Sequence, residues 1–277
     1  MNPSERALWF IECHFGSEIS LDDVAAAAGV SRYHASRAFE AATGRPIMRY
    51  VRGRRLSVAA HALCDGAPDI LAVALEAGYG SHEAFTRAFR DQFGVTPESV
   101  RTHGRIDHLR LVEPIKLKQD ILETLEPPRI ENGKPLLIAG LGERYTCDTC
   151  AGIPAQWQRF LPHFCQVQGQ VGKVAYGLTY NFDDAGNFDY VAGVEVSDFS
   201  GLPPDWTRVR VPAQRYAVFM HRGHISTIRS TWNTVWNRWF PQSQYESADA
   251  PNFERYDESF DSTTGQGGVE LWIPIKA

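Results

Sequence analysis

The stretch 76-EAGYGSHEAFTRAFRDQFGVTP-97 decides how the first hundred residues fold. Gly78 and Gly80 close one helical run, Ser81 stands where a helix N-cap belongs, and Phe85, Ala88 and Phe89 recur at the spacing of one helix stripe. His82, Glu83, Thr86, Arg87 and Arg90 fill the opposite stripe. Most polar helix stripes face water, so any other role needs support from elsewhere in the chain.

That support is a second copy. The segments 21-LDDVAAAAGVSRYHASRAFEAATGRP-46 and 70-ILAVALEAGYGSHEAFTRAFRDQFGVTP-97 share a helix, an alanine-glycine stop, a short turn with serine, and a helix containing Arg-Ala-Phe. Gly29 matches Gly78, Ser31 matches Ser81 with one residue of slack, and Arg37-Ala38-Phe39 matches Arg87-Ala88-Phe89. A short helix, a glycine-bearing turn and a second helix form the helix-turn-helix pattern, whose second helix enters the DNA major groove. Between the copies, Pro46 opens one long helical segment. Residues 1–106 therefore read as an all-α domain.

The 277-residue chain carries a formal net charge of −5, which excludes a uniformly basic nucleic-acid binder. Basic charge is instead local: Arg32, Arg37, Arg45, Arg49, Arg52, Arg54 and Arg55 face Glu40 alone between residues 30 and 55. With "GVTP" closing the second copy, residues 5–104 resemble the DNA-binding domain of the AraC/XylS family of transcription regulators. The resemblance implies double-stranded DNA as partner, with Tyr33, Ser36 and Arg37 at the base-contacting positions of the first unit and His82, Glu83 and Arg87 at those of the second. Arginine can bridge guanine O6 and N7, and glutamate can accept from cytosine N4. A phosphate contact is the competing role for Arg37 and Arg87. The long helix would set the two units about 34 Å apart, one turn of DNA. RNA polymerase is a further partner that such a regulator admits.

After Arg105 the texture changes. Residues 107–126 are charged and proline-marked and read as a linker. Beyond them "YGLTYNF", "YVAGVEV", "RYAVFMH" and "VELWIPI" read as strands, and "IPAQWQRFLPHF" and "ISTIRSTWNTVWNRWFP" as helices, giving an α+β domain over 127–277. It repeats internally: Trp157-Gln-Arg-Phe-Leu-Pro162 matches Trp236-Asn-Arg-Trp-Phe-Pro241, and Gly193-Val-Glu-Val matches Gly268-Val-Glu-Leu. The duplication predicts a pseudo-twofold sheet with a cleft between its halves. The order, the repeat and the final "GVELWIPI" resemble the GyrI-like effector-binding domain, which follows AraC-type domains in Rob-like regulators.

The cleft is expected to bind a small-molecule effector. The repeat matches Glu195 with Glu270, and Trp157, Trp236, Tyr180 and Phe219 are candidate walls. A carboxylate among aromatic faces suits an organic cation, through charge pairing and cation–π contacts of roughly 0.5–2 kcal/mol each. The resemblance points the same way, towards amphipathic or cationic molecules. Glu270 is expected as the main counter-charge. The competing placement puts the glutamates on a solvated sheet face and the tryptophans in the core.

No Ser-His-Asp order, G-x-S-x-G elbow or P-loop is present, so no catalytic residue or cofactor is expected. The alternatives are a small-molecule hydrolase with a buried glutamate as general base, and a protein-interaction module. Five scattered cysteines do not make a secreted disulfide framework. Cys147 and Cys150, with His163 and Cys165 beyond, are spaced too tightly for paired zinc knuckles, and no metal is expected. No stretch approaches the roughly 20 apolar residues that span a bilayer, so a soluble cytoplasmic protein without membrane contact is expected. The charged connection between the domains predicts little apolar contact between them and only modest coupling.

Overall fold

The computed structural model describes residues 1–115, 125–146 and 149–276. The first domain contains helices α1 (Pro3–His14), α2 (Leu21–Ala28), α3 (Arg32–Thr43), α4 (Ile47–Cys64), α5 (Ile70–Glu76), α6 (His82–Phe93) and α7 (Pro97–His103). Their starts are written in the sequence. Asn2 and Ser20 form capping boxes with Glu5 and Asp23, and the side chains of Ser31, Asp69, Ser81 and Thr96 accept from backbone N–H groups of the first turns. Each such cap is worth about 1 kcal/mol. Two cores result. Ile11, Val24, Phe39 and Tyr50 gather around the first helix-turn-helix, α2–α3, and Leu56, Leu63, Phe85 and Phe89 around the second, α5–α6. Helix α4 contributes to both and so fixes one unit against the other.

The chain leaving α7 returns along α4. Leu109 joins the second core and Val112 the first; the Val112 N–H donates to Ser57 Oγ, its carbonyl accepts from Arg54, and the Ile115 N–H donates to the Tyr50 hydroxyl. A Cβ on Gly53 would come within 2.7 Å of Val112 Cγ2, so this glycine inside a helix makes room for the returning strap. The first part of the expected linker thus packs against the helical domain, and residues 116–124 lie outside the described residues.

The second domain is one antiparallel sheet of eight strands: β1 (Arg129–Gly133), β2 (Leu136–Tyr145), β3 (Gln170–Tyr180), β4 (Phe188–Val196), β5 (Thr207–Val211), β6 (Gln214–His221), β7 (Asn252–Tyr256) and β8 (Val269–Ile275). The order β1-β6-β8-β7-β3-β4-β2-β5 reads the same from either end when β1–β4 are exchanged with β5–β8. β5 ends that order and β6 lies next to its other end, yet only Pro212 and Ala213 join them. Three peptide links span at most about 11 Å, so the sheet must curl until its ends approach. Ile138 and Val211 from one end then share a cluster with Tyr216 and Val218 from the other.

Helix α8 (Ile153–Phe160) and helix α9 (Ile228–Thr234) cover the outer face of the curl; α9 continues through a π-helical turn (Val235–Trp239) into the short α10 (Phe240–Gln242). Phe160 packs on Tyr190 and Val194, and Trp236 on Phe219 and Leu271. Among the described residues no helix is long and apolar enough to cross a membrane.

Candidate functional site

A concavity of the second domain opens between α8 and α9, above the pair β3–β7 where the two halves of the sheet meet. It is a cavity of about 580 Å³ whose walls include Trp157, Leu161, Ile228, Trp232 and Tyr256. Successive strand residues face opposite sides, so β7 turns Glu254 and Tyr256 towards the helices and Phe253 into the curl. Glu254 Oε2 accepts from the hydroxyls of Tyr190 (3.1 Å) and Tyr256 (2.9 Å), and Oε1 from the Trp232 indole N–H (3.4 Å). The Trp157 indole N–H donates in turn to the Tyr190 hydroxyl (2.9 Å). Burial pushes the Glu254 carboxyl above its ordinary range, and these donors offset it only in part. None of them carries a positive charge. Gly177 of β3 leaves the space they need: a Cβ there would collide with the Tyr190 hydroxyl and lie 2.7 Å from Glu254 Oε2.

Of the six residues expected at the ligand, Trp157 alone lines this cleft among the described residues. Glu270 and Glu195 occupy the strand positions that face into the curl, on the side of the sheet away from α8 and α9. Glu270 is already paired: it accepts from Arg129 (2.8 Å), Arg255 (3.1 Å) and the Trp272 indole (3.0 Å). Burial works against its charge, yet those partners hold its pKa below the ordinary carboxylate range. Glu195 lies 3.5 Å from the Tyr176 hydroxyl, and Tyr180 is half-buried in the same inner cluster. Phe219 is buried against Trp239, and Trp236 is fully buried beneath α3. Among the described residues two acids line the cleft, Glu254 and Asp257; Glu254 sits in "NFERY", five residues with too little apolar character to read as a strand. Cys147, one of the cysteines weighed and set aside as a metal ligand, lies outside the described residues.

The two second helices of the helix-turn-helix units differ sharply. On α6, His82, Glu83 and Arg87 are exposed, as the sequence suggests. On α3 the corresponding stripe is covered by the second domain. The Tyr33 hydroxyl accepts from Asn252 Nδ2 (3.0 Å), and its ring meets Trp236 and Phe182 edge-on at 5.8 and 6.0 Å. The Arg37 guanidinium lies 4.1 Å over the Phe182 ring and pairs with Glu40 (3.0 Å), while Ser36 is half-buried.

Further bonds fix α3 from below. In the π turn the Phe240 N–H bonds to the Val235 carbonyl, and Pro241 has no N–H, which leaves the Trp236 carbonyl without a helical donor. His34 Nε2 supplies one at 2.7 Å, which requires the tautomer protonated on Nε2. Asn237 donates to the Ala38 carbonyl (2.9 Å) and accepts from the Ser4 N–H (3.2 Å), and Arg229 donates to the Glu40 carbonyl (3.2 Å). The expected weak domain contact is therefore corrected: it runs through α3, where Ala38 joins the cluster of Trp236, Phe240 and Phe219. The linker's composition held no information about it, because the contact lies elsewhere in the chain.

Residues 126–276 match the family described as the GyrI-like small molecule binding domain, and residues 24–103 a helix-turn-helix domain. The transcriptional regulator Rob of Salmonella typhimurium is 30% identical over 97% of this chain and 96% of its own length. The right origin-binding protein of Escherichia coli K12 is 28% identical over the same shares. The solved structure of SAV2435 bound to tetraphenylphosphonium is 20% identical, with a TM-score of 0.46, and covers 55% of this chain and 95% of its own. An AraC-type helix-turn-helix region followed by a GyrI-like domain, shared with Rob along nearly the whole length, places the chain in the family of Rob-like DNA-binding transcription regulators that carry a small-molecule-binding domain.

Proposed function

We propose that the effector is a lipophilic organic cation, held between α8 and α9 with Glu254 as its counter-charge and Trp157, Trp232 and Tyr256 as its aromatic walls. One observation carries this reading: Glu254 is a half-buried carboxyl at an aromatic cavity, and its hydrogen-bond partners among the described residues are all neutral. The side chains bonded to Glu254 bring it no positive charge, whereas Glu270 has two arginines. Desolvated cation–π contacts add about 1–2 kcal/mol each. The protein then acts as a cytoplasmic, non-catalytic sensor, a reading supported by relatives that are transcription regulators. The palindromic strand order supports a duplicated origin for the domain, with the cleft on its pseudo-twofold axis.

On the DNA side, His82, Glu83 and Arg87 of α6 and Tyr33, Ser36 and Arg37 of α3 are the residues that read bases. The test of the effector site is titration of the full-length protein with a quaternary arylammonium and with its neutral tertiary-carbon isostere, followed by the fluorescence of Trp157 and Trp232. Binding of the cation that is lost in Glu254→Gln supports the site. Equal binding of both compounds to both proteins overturns it.

A further inference from the structure

We infer that the GyrI-like domain clamps the first recognition helix, so that the face of α3 carrying Tyr33 and Arg37 is contested between DNA and the α9–α10 surface of the same chain. The major groove is about 12 Å wide, which admits a bare α-helix of about 10–12 Å diameter and nothing packed on its reading face. That face is occupied here. Tyr33 is held by Asn252 and enclosed by Trp236 and Phe182, and Arg37 is stacked on Phe182. The equivalent face of α6 is open. In this arrangement the protein can present one recognition helix to DNA, and it presents both only after α3 leaves the second domain.

The clamp is built for release as well as for holding. Its polar anchors on α3 among the described residues include Asn252 to Tyr33, His34 to the Trp236 carbonyl, Asn237 to Ala38, Arg229 to Glu40, and the exposed pair Arg32–Asp184. Two of the partners, Ala38 and Glu40, offer main-chain carbonyls, so α3 keeps its helical structure when the anchors let go. The helix that grips α3 is also a wall of the cleft: Ile228, Arg229 and Trp232 line the cavity, and Trp236 and Asn237, one turn further on, hold α3. Arg229 belongs to both sides. The clamp itself does not depend on which molecule fills the cleft. It does rest on α3 being a base-reading helix.

The test uses the full chain, with two changes in the second domain and Arg37→Ala on α3 as the control for base reading. Asn237→Ala removes the bond to Ala38, and Arg229→Ala, at an exposed position, removes the bond to Glu40 without threatening the core. Each is measured against a duplex of about three helical turns, selected from random-sequence DNA by the Asn237→Ala chain. Asn237→Ala is expected to bind about tenfold tighter than the wild type, Arg229→Ala a few-fold tighter, and the protected stretch to lengthen by about one helical turn, ~10 base pairs. Arg37→Ala added to Asn237→Ala should erase the gain, while Arg37→Ala alone changes little. If both single variants bind as the wild type does, and Arg37→Ala weakens the wild type, α3 reads DNA without release and the clamp is overturned. If Arg37→Ala is silent in every background, it is the base-reading role of α3 that fails, and the clamp with it.

Discussion

Replacing Glu254 by glutamine removes one charge and little else. The amide oxygen can still accept from the Tyr190 and Tyr256 hydroxyls, and only the long contact from the Trp232 indole is lost outright. A cation seated against the aromatic walls lies about 5 Å from the carboxylate, and at an effective dielectric of about 20 the attraction is roughly 3 kcal/mol. Solvent at the mouth of the cleft screens part of this, leaving about 2 kcal/mol, or a roughly thirtyfold loss of affinity. The neutral isostere has no charge to lose and should change by less than about threefold. Calorimetric titration of wild type and variant with both compounds gives the four affinities, and their double difference isolates the electrostatic contribution. Equal losses for cation and isostere would mean that glutamine has disturbed the shape of the cleft. No loss for either would mean that Glu254 does not face the ligand.

Two further outcomes follow from the same geometry. Burial raises the pKa of the empty site's Glu254 above its ordinary value near 4.5, and a bound cation favours its ionised form. Cation affinity should therefore be complete above that raised pKa and fall as the pH drops through it, and the profile should be flat over that window in Glu254→Gln. Glu270→Gln should leave cation affinity within about twofold of the wild type but lower the unfolding free energy by about 1–3 kcal/mol, because Arg129 and Arg255 lose their shared carboxylate; chemical denaturation measures this.

The helical half was legible almost residue by residue, because its signals are local. Ser81 caps α6 where the sequence places it, the matched Ser31 caps α3, and Gly29, Gly44 and Gly94 end helices in the left-handed conformation. In the second half, four strands were readable from apolar runs, while β1, β2, β5 and β7 were not. The short edge strand β5 exposes alternate residues, β1 has Ile130 as its one large apolar residue, and β7 carries Glu254 and Arg255 side by side. That omission left Glu254 out of the expected site. Glu270 lies between apolar residues, but both faces of this sheet are buried, so apolar neighbours could not say which face it takes. The cover over α3 was beyond local pattern altogether. Tyr33, Arg37 and Trp236 are ordinary for a DNA-reading helix and a helix–sheet core, and only the tertiary arrangement brings them together.

Because α9 walls the cleft and runs on into the turn that holds α3, the most direct measurement is operator affinity at zero and saturating arylammonium, in the wild type and in Glu254→Gln. A cation beside Glu254 also faces the Arg229 guanidinium that holds Glu40, so it should loosen α3 and tighten DNA binding. The expected change is about tenfold, within the usual allosteric range, and DNA should tighten cation binding by the same factor. Glu254→Gln at the same cation concentration should show no such change. DNA affinity identical with and without bound cation in the wild type would contradict the coupling and leave the cleft and the recognition helices as independent sites.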